Sequence, residues 1–442
     1  MTQSFLIKNV KIPVGGELVE GSILIENKCI TAISKKDFQA DFVLDGKGFL
    51  AIPGGIDIHA HVYDPEKLDH EDWTTGSLAA VYGGITTIVD MPLRVFVDNI
   101  SRAMEKIESA KRHSYVNFGI TGGFLNDRNY DSIDELLKIG IRTFKIFTCR
   151  PFTTTEQSLA RIFKKASTKN VVLIAHAEDE GILTIREEEY KSQNDIEAYH
   201  LSRDGLAEAA AIMKLGYYSL ETGASLHIAH LSSKEGVESL EFLRKRNAKI
   251  TSETCPHYLF FTREDSKKYG TFLKMAPTLK TSVDREVLWK ALSEGIIDVY
   301  ASDNAPSPRE LKETDVWSAW GGIPNLEIMG PFLFTYGVLQ RRISLHRFIT
   351  VFSRNPAKLL NVYPTLGELA VGGVADIVVL NTREPRTISS RNHHHKVDWT
   401  PWEGTTLYGH SYHAVVSGEL VLEEGELVGR PGDKLYIGFI NR

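Results

Sequence analysis

Gly55-Ile56-Asp57-Ile58-His59-Ala60-His61 is the first of eight short apolar runs that set the fold. The others are Ile85–Met91, Val116–Phe124, Thr143–Phe147, Val171–Ala177, Leu226–Leu231, Lys249–Cys255 and Val299–Asp303. Helix-like stretches lie between them: Thr74–Tyr82, Ile100–Arg112, Ser158–Ser167, Leu206–Ser219, Gly236–Arg246 and Val287–Leu292. A strand buried on both faces reads as an apolar run rather than an alternation. Strands alternating with helices predict a parallel sheet with helical crossovers. Eight such units are the number that closes a (β/α)8 barrel. An open doubly wound sheet is the alternative, and the polar residues gathered at the ends of the runs favour the barrel. The polar segment Lys191–Arg203 interrupts the rhythm and predicts a long loop at the barrel mouth.

Outward from this core the rhythm changes. Phe5–Ile12 and Gly21–Glu26 alternate, and Phe42–Leu50 carries a glycine at a turn. Near the other end Ala375–Leu380, His413–Gly418 and Leu420–Leu427 read the same way. Closely spaced short strands of this kind make a small β-unit, and chain ends often lie close together. The expected division is therefore a β-sandwich from residues 1–53 plus 365–442 and an α/β barrel over 54–364. No period of 20–50 residues marks a solenoid.

Composition narrows the function. Apolar residues make up 42% and charged residues 24% of 442, the balance of a globular enzyme rather than a disordered chain. With 51 Lys and Arg against 57 Asp and Glu the net charge is −6, which argues against a dedicated nucleic-acid binder or a polybasic membrane-surface protein. No run approaches the roughly 20 apolar residues of a spanning helix. The opening Met1-Thr2-Gln3-Ser4-Phe5-Leu6-Ile7-Lys8 does not read as a signal peptide. Cys29, Cys149 and Cys255 are odd in number and far apart, which points to a reducing cytoplasm rather than a disulfide framework.

Barrel enzymes place their chemistry where strands end. Residues two apart in a strand share a side, so His59 and His61 present two imidazoles together. The fifth run ends at His176, the sixth at His230 and the eighth at Asp303. Imidazole and carboxylate suit zinc and its neighbours. Any one of these histidines alone reads as a satisfied core residue; together, at successive strand ends, they predict a metal centre. Lys145 sits inside the apolar run Thr143–Phe147, where an unpaired ammonium is costly. Either its amine reaches solvent or a carboxylate, or the lysine is carboxylated by carbon dioxide and its carbamate bridges two metal ions. The triplet His393-His394-His395 reads as a solvated surface cluster.

The set His59, His61, Lys145, His176, His230 and Asp303 resembles the binuclear amidohydrolases that open cyclic amides: hydantoinase (dihydropyrimidinase), allantoinase and dihydroorotase. The likeness extends over Pro53-Gly54-Gly55-Ile56-Asp57, Gly83–Thr87, Gly372–Val378 and Lys396–Gly404, nearly the whole chain. It implies a distorted (β/α)8 TIM barrel with a composite β-sandwich, two divalent ions (zinc first), carboxylated Lys145 as bridging ligand, and a homodimer or homotetramer. Asp90–Leu93, Glu253–Leu259 and Ala319–Ile323 look most like allantoinase. Dihydroorotases carry an Arg and an Asn where this chain has Tyr63 and Leu93, and the missing Arg removes a bidentate carboxylate partner. Hydantoinases place a Tyr where this chain has Arg150, which reads equally as an oxyanion or anion contact and as a rim cation. The family's usual His after the eighth strand is Asn304 here.

The expected reaction is hydrolysis of a ring amide, with allantoin as the leading substrate and dihydroorotate or a hydantoin as alternatives. A hydroxide shared by the two ions attacks the carbonyl, and Asp303 carries the proton to the leaving nitrogen. Tyr63, Arg150, Thr278 and Asn325 are the expected substrate contacts. A non-catalytic scaffold is the reading from another class, and the retention of all six ligand positions weighs against it.

Overall fold

The computed structural model describes residues 4–36, 38–94 and 96–440. Met1–Gln3, where the reading of the N-terminal octet begins, lie outside them. Eight parallel strands follow one another at the centre: Gly55–Ala60, Ile85–Asp90, Asn117–Ile120, Thr143–Phe147, Val172–His176, Ser225–Ile228, Ile250–Thr254 and Val299–Tyr300. The first three pair side by side in chain order, as do the last five. Parallel bridges Gly122–Phe144 and Ala60–Asn304 join the two groups at both seams, so the sheet closes into a barrel. Each of the eight expected runs overlaps one of these strands.

Helices wrap the barrel because their apolar residues share one face. In Ile100–His113 the buried Ala103, Ile107 and Ala110 recur at three- and four-residue spacing. Starts are fixed by side chains that accept otherwise orphaned backbone N–H groups. Asp72, Asn99, Thr155, Asp204 and Ser233 each do this, and Thr281 with Asp284 forms a reciprocal capping box. The segment expected to be one long loop, Lys191–Arg203, contains the helix Ile196–Leu201. Asp195 caps it and Ala198, Tyr199 and His200 are buried beneath it, so a polar sequence still folds onto the core.

The terminal strands form one continuous eight-stranded sheet. Phe42–Pro53 lies between Phe5–Val14, which runs parallel to it, and Ile377–Asn381, which runs antiparallel with Ile377 opposite Pro53. The sheet curls, so that Ile30 N–H donates to Gly373 O and Gly372 N–H to Ile30 O. Phe5, Ile7, Ile23, Ile25, Ile377 and Val415 fill its interior. Residues 388–407 leave the sheet. Ile388, Val397, Trp399, Trp402 and Leu407 belong to the main core of the barrel and its helices.

Candidate metal and substrate site

Strand alternation decides what faces the barrel interior. In the first strand Ile56 and Ile58 pack outward against Ala357 and Leu366, while Asp57, His59 and the following His61 turn inward. In the fourth, Phe144 and Ile146 join the outer core and Lys145 faces in. His59, His61, Lys145, His176, His230 and Asp303 all line one cavity of about 240 Å3 at the C-terminal ends of the strands. Six positions spread over the chain are thus brought together.

The donor atoms converge. Asp303 Oδ1 lies 3.5 Å from His59 Nε2 and 3.4 Å from His61 Nε2, and these three side chains form one ligand-capable group. His176 Nδ1 faces His230 Nε2 at 3.0 Å, and the His59 and His230 ring centres are 5.3 Å apart. His230 and Asp303 hold left-handed backbones, φ +40° and +46°. Such conformations are uncommon outside glycine and persist where the surroundings fix them.

The outward-facing ring nitrogens settle the tautomers. His61 Nδ1 is 2.8 Å from Met91 O, which only accepts, so Nδ1 carries the proton. His59 Nδ1 donates to Glu253 and His176 Nε2 to Glu178, the latter at 2.7 Å. His59 Nε2, His61 Nε2 and His176 Nδ1 therefore present lone pairs inward, the arrangement in which an outer carboxylate or carbonyl orients a metal-binding imidazole. His230 Nδ1 is buried with no partner among the described residues. Burial lowers the pKa of His59, His176 and His230, which favours the neutral form that ligates. This donor set fits divalent metal ions.

Lys145 is only 1% exposed. No hydrogen bond or ion pair of its ammonium is seen among the described residues, only the Phe147 ring 5.2 Å away. Burial lowers its pKa to about 8 against the pull of Glu253 and Asp303. An uncompensated buried charge costs several kcal/mol, so this side chain is not a satisfied structural cation.

The remaining expected contacts are placed differently. Arg150 reaches the cavity mouth, but its guanidinium pairs with Glu180 at 2.6 Å and also donates to Thr184, which makes it a rim cation. Tyr63 is buried with its ring 6.3 Å from that of His61, and its hydroxyl has no partner among the described residues. The side chains of Thr278 and Asn325 are consumed elsewhere. The Thr278 hydroxyl donates to Arg203 O at 2.9 Å. Asn325 bonds Ser302 O, His257 and Trp402. Neither residue lines the cavity. The histidine triplet is not a solvated cluster: His395 pairs with Glu71 at 2.9 Å, and His394 stacks on Tyr82 and bonds Glu327 at 3.1 Å. Two buried carboxylates needed partners there.

Glu253, Glu178 and Arg203 went unassigned in the sequence reading. Glu178 stands two residues after His176, so strand alternation was the signal for it. Burial raises Glu178, but Arg203 and His176 outweigh that and hold it ionised.

The chain matches the Amidohydrolase family over residues 50–421. It is 33% identical to a dihydroorotase of Methanosarcina acetivorans, over 96% of this chain and 93% of the relative. It is 28% identical to an allantoinase of Salmonella paratyphi B, over 96% of both. The solved L-hydantoinase (dihydropyrimidinase) of Arthrobacter aurescens superimposes with a TM-score of 0.93 at 28% identity, over 98% of this chain and 99% of that one. The chain belongs to the amidohydrolase family, as a metal-dependent barrel enzyme that hydrolyses carbon–nitrogen bonds of cyclic amides.

Proposed function

We propose that this chain opens an uncharged cyclic amide, and that His59, His61, carboxylated Lys145, His176, His230 and Asp303 hold a pair of zinc ions for the purpose. The observation that carries the reading is the inward set of imidazole lone pairs around an unpartnered buried lysine. Carboxylation forms an N–C bond between the Lys145 amine and carbon dioxide and releases one proton; the resulting carbamate offers two oxygens where an ammonium offers none. Zinc in such a site supplies Lewis acidity, lowering the pKa of water towards neutrality and polarising an amide carbonyl.

The protein's own groups do the rest. Asp303 accepts the proton of the attacking water and returns it to the ring nitrogen as the C–N bond breaks. Water is thereby divided between the two ends of the opened ring, OH on carbon and H on nitrogen, which gives a carbamoyl or ureido acid. The outer bonds of His59 to Glu253 and His176 to Glu178 keep both rings turned inward throughout.

The cavity wall favours a neutral ring with an apolar face. Leu93, Phe147, Phe152 and Met275 line it. Its cations are committed: Arg150 to Glu180, Arg203 to Glu178, and Lys274 to the carbonyls of Trp317 and Ala319. Neither guanidinium is therefore free to pair with a substrate carboxylate. Allantoin, dihydrouracil and hydantoins fit this description. Dihydroorotate is the second reading, favoured by the 33% identical relative. Turnover of a panel of these four ring types tests the choice. Neutral rings are expected to react, and selective hydrolysis of dihydroorotate refutes it. The three unbridged cysteines accord with a cytoplasmic setting. A homodimer or homotetramer is the assembly to be read by light scattering.

A further inference from the structure

Asp303 keeps a left-handed backbone that must be imposed by its neighbours, and one residue touches both of them. The Trp402 indole N–H can only donate, and the atom it meets at 3.0 Å is the side-chain oxygen of Asn325. That contact settles which way the Asn325 amide points. Its NH2 then donates to Ser302 O at 2.8 Å and lies 3.0 Å from Nδ1 of His257. The backbone N–H of Asn325 donates to Asn304 Oδ1 at 2.9 Å. Ser302 and Asn304 are the residues on either side of Asp303, and both are held from the same point.

The Asn325 amide also fixes His257. An amide NH2 only donates, so His257 Nδ1 must accept and the ring proton must reside on Nε2. His257 Nε2 and the Asn304 amide nitrogen are both buried without a partner among the described residues. Asn325 and Trp402 are themselves fully buried. Trp402 comes from the segment that leaves the terminal sheet, and Phe260, Phe261 and Phe332 surround its indole.

We propose that Asn325 is a positioning residue, oriented by Trp402, that locks the Ser302–Asp303–Asn304 backbone and fixes His257 as the Nε2–H tautomer. The proposal rests on Asp303 being the proton-transfer group.

Asn325→Asp and Trp402→Phe test it in the metal-loaded enzyme. Asn325→Asp removes the amide donor. It is expected to lower kcat by about 10–100-fold, the usual cost of removing a group that orients a ligand, with KM and metal content little changed. A 15N spectrum of the histidines should show His257 as the Nε2–H tautomer in the parent enzyme and as Nδ1–H in Asn325→Asp. Trp402→Phe leaves Asn325 in place but frees its amide to rotate, and a smaller fall in kcat with mixed His257 tautomers is expected. A parent enzyme with His257 protonated on Nδ1 overturns the proposal whether or not the variants fold. Folded, metal-loaded variants with the parent kcat overturn it as well. Retained turnover in Asp303→Asn overturns instead the proton-transfer reading beneath it, so the two failures are told apart.

Discussion

His59 and Glu253 are hydrogen-bonded inside the closed barrel, the imidazole Nδ1 on one carboxylate oxygen, while His227 Nε2 lies 3.1 Å from the other. One carboxylate thus restrains two rings, and only one of them, His59, reaches the cavity. Glu253 stays ionised although burial opposes it, because His59 and His227 hold it down. Glu253→Gln keeps the shape and removes the charge. Metal affinity is expected to fall by about 10–100-fold, read by titration of the metal-depleted protein. Unchanged affinity would show that the His59 ring needs no such anchor.

Lys145 is expected to carry a carbamate. Enzyme prepared with 13C-bicarbonate should show a single carbamate carbon resonance, absent from Lys145→Met, and that variant should lose both bound metal and turnover. A fully active enzyme with no labelled carbamate sinks the bridging role.

Asp303→Asn should cut kcat by about 10²–10⁴-fold, the range for losing a positioned proton-transfer group. Substrate binding, measured by the inhibition constant of an inert ring analogue, should change far less. A parent-like rate with the metal still bound removes Asp303 from the mechanism.

Arg150→Gln should leave kcat on every neutral ring within about threefold, since its guanidinium is already held by Glu180 at a mouth where water screens it. A collapse of kcat would return Arg150 to the oxyanion role that its sequence position also allows.

Stability should decline from mildly acidic to neutral pH through Asp376. Burial raises this carboxyl to about 7 in the fold, against the hydrogen bonds from Ser417, Thr86 and Asn117. A folded value above the unfolded one means that the contribution is complete below about pH 4 and is lost as pH climbs through 7. Asp376→Asn has nothing to titrate and should flatten that part of the melting-temperature profile. An equal slope in both proteins assigns it to other groups.

The barrel was legible because its strands are buried on both faces and so write themselves as apolar runs. The ring of candidate ligands was legible for a related reason: alternation shows which residues share a side, and His59, His61, His176, His230 and Asp303 fall where strands end. The role of Glu253 was not legible because it lies in inter-strand register, which places the carboxylate beside His59 and His227. The side-chain bonds of Thr278 and Asn325 were not legible because sequence displays polarity but not direction, and both side chains bond the scaffold. The curl of the terminal sheet was equally invisible, since no local pattern tells Ile30 that it will meet Gly373.

The central strand of that terminal sheet, Phe42–Pro53, has one flank covered by Phe5–Val14 and the other by Ile377–Asn381. During synthesis the first flank is protected almost at once, whereas the second waits until the ribosome has made the entire barrel. A nascent chain therefore carries an open β-edge for most of its translation, directly ahead of the strand that bears His59. Chaperone demand and aggregation should concentrate in that interval and subside as the Ile377 strand emerges.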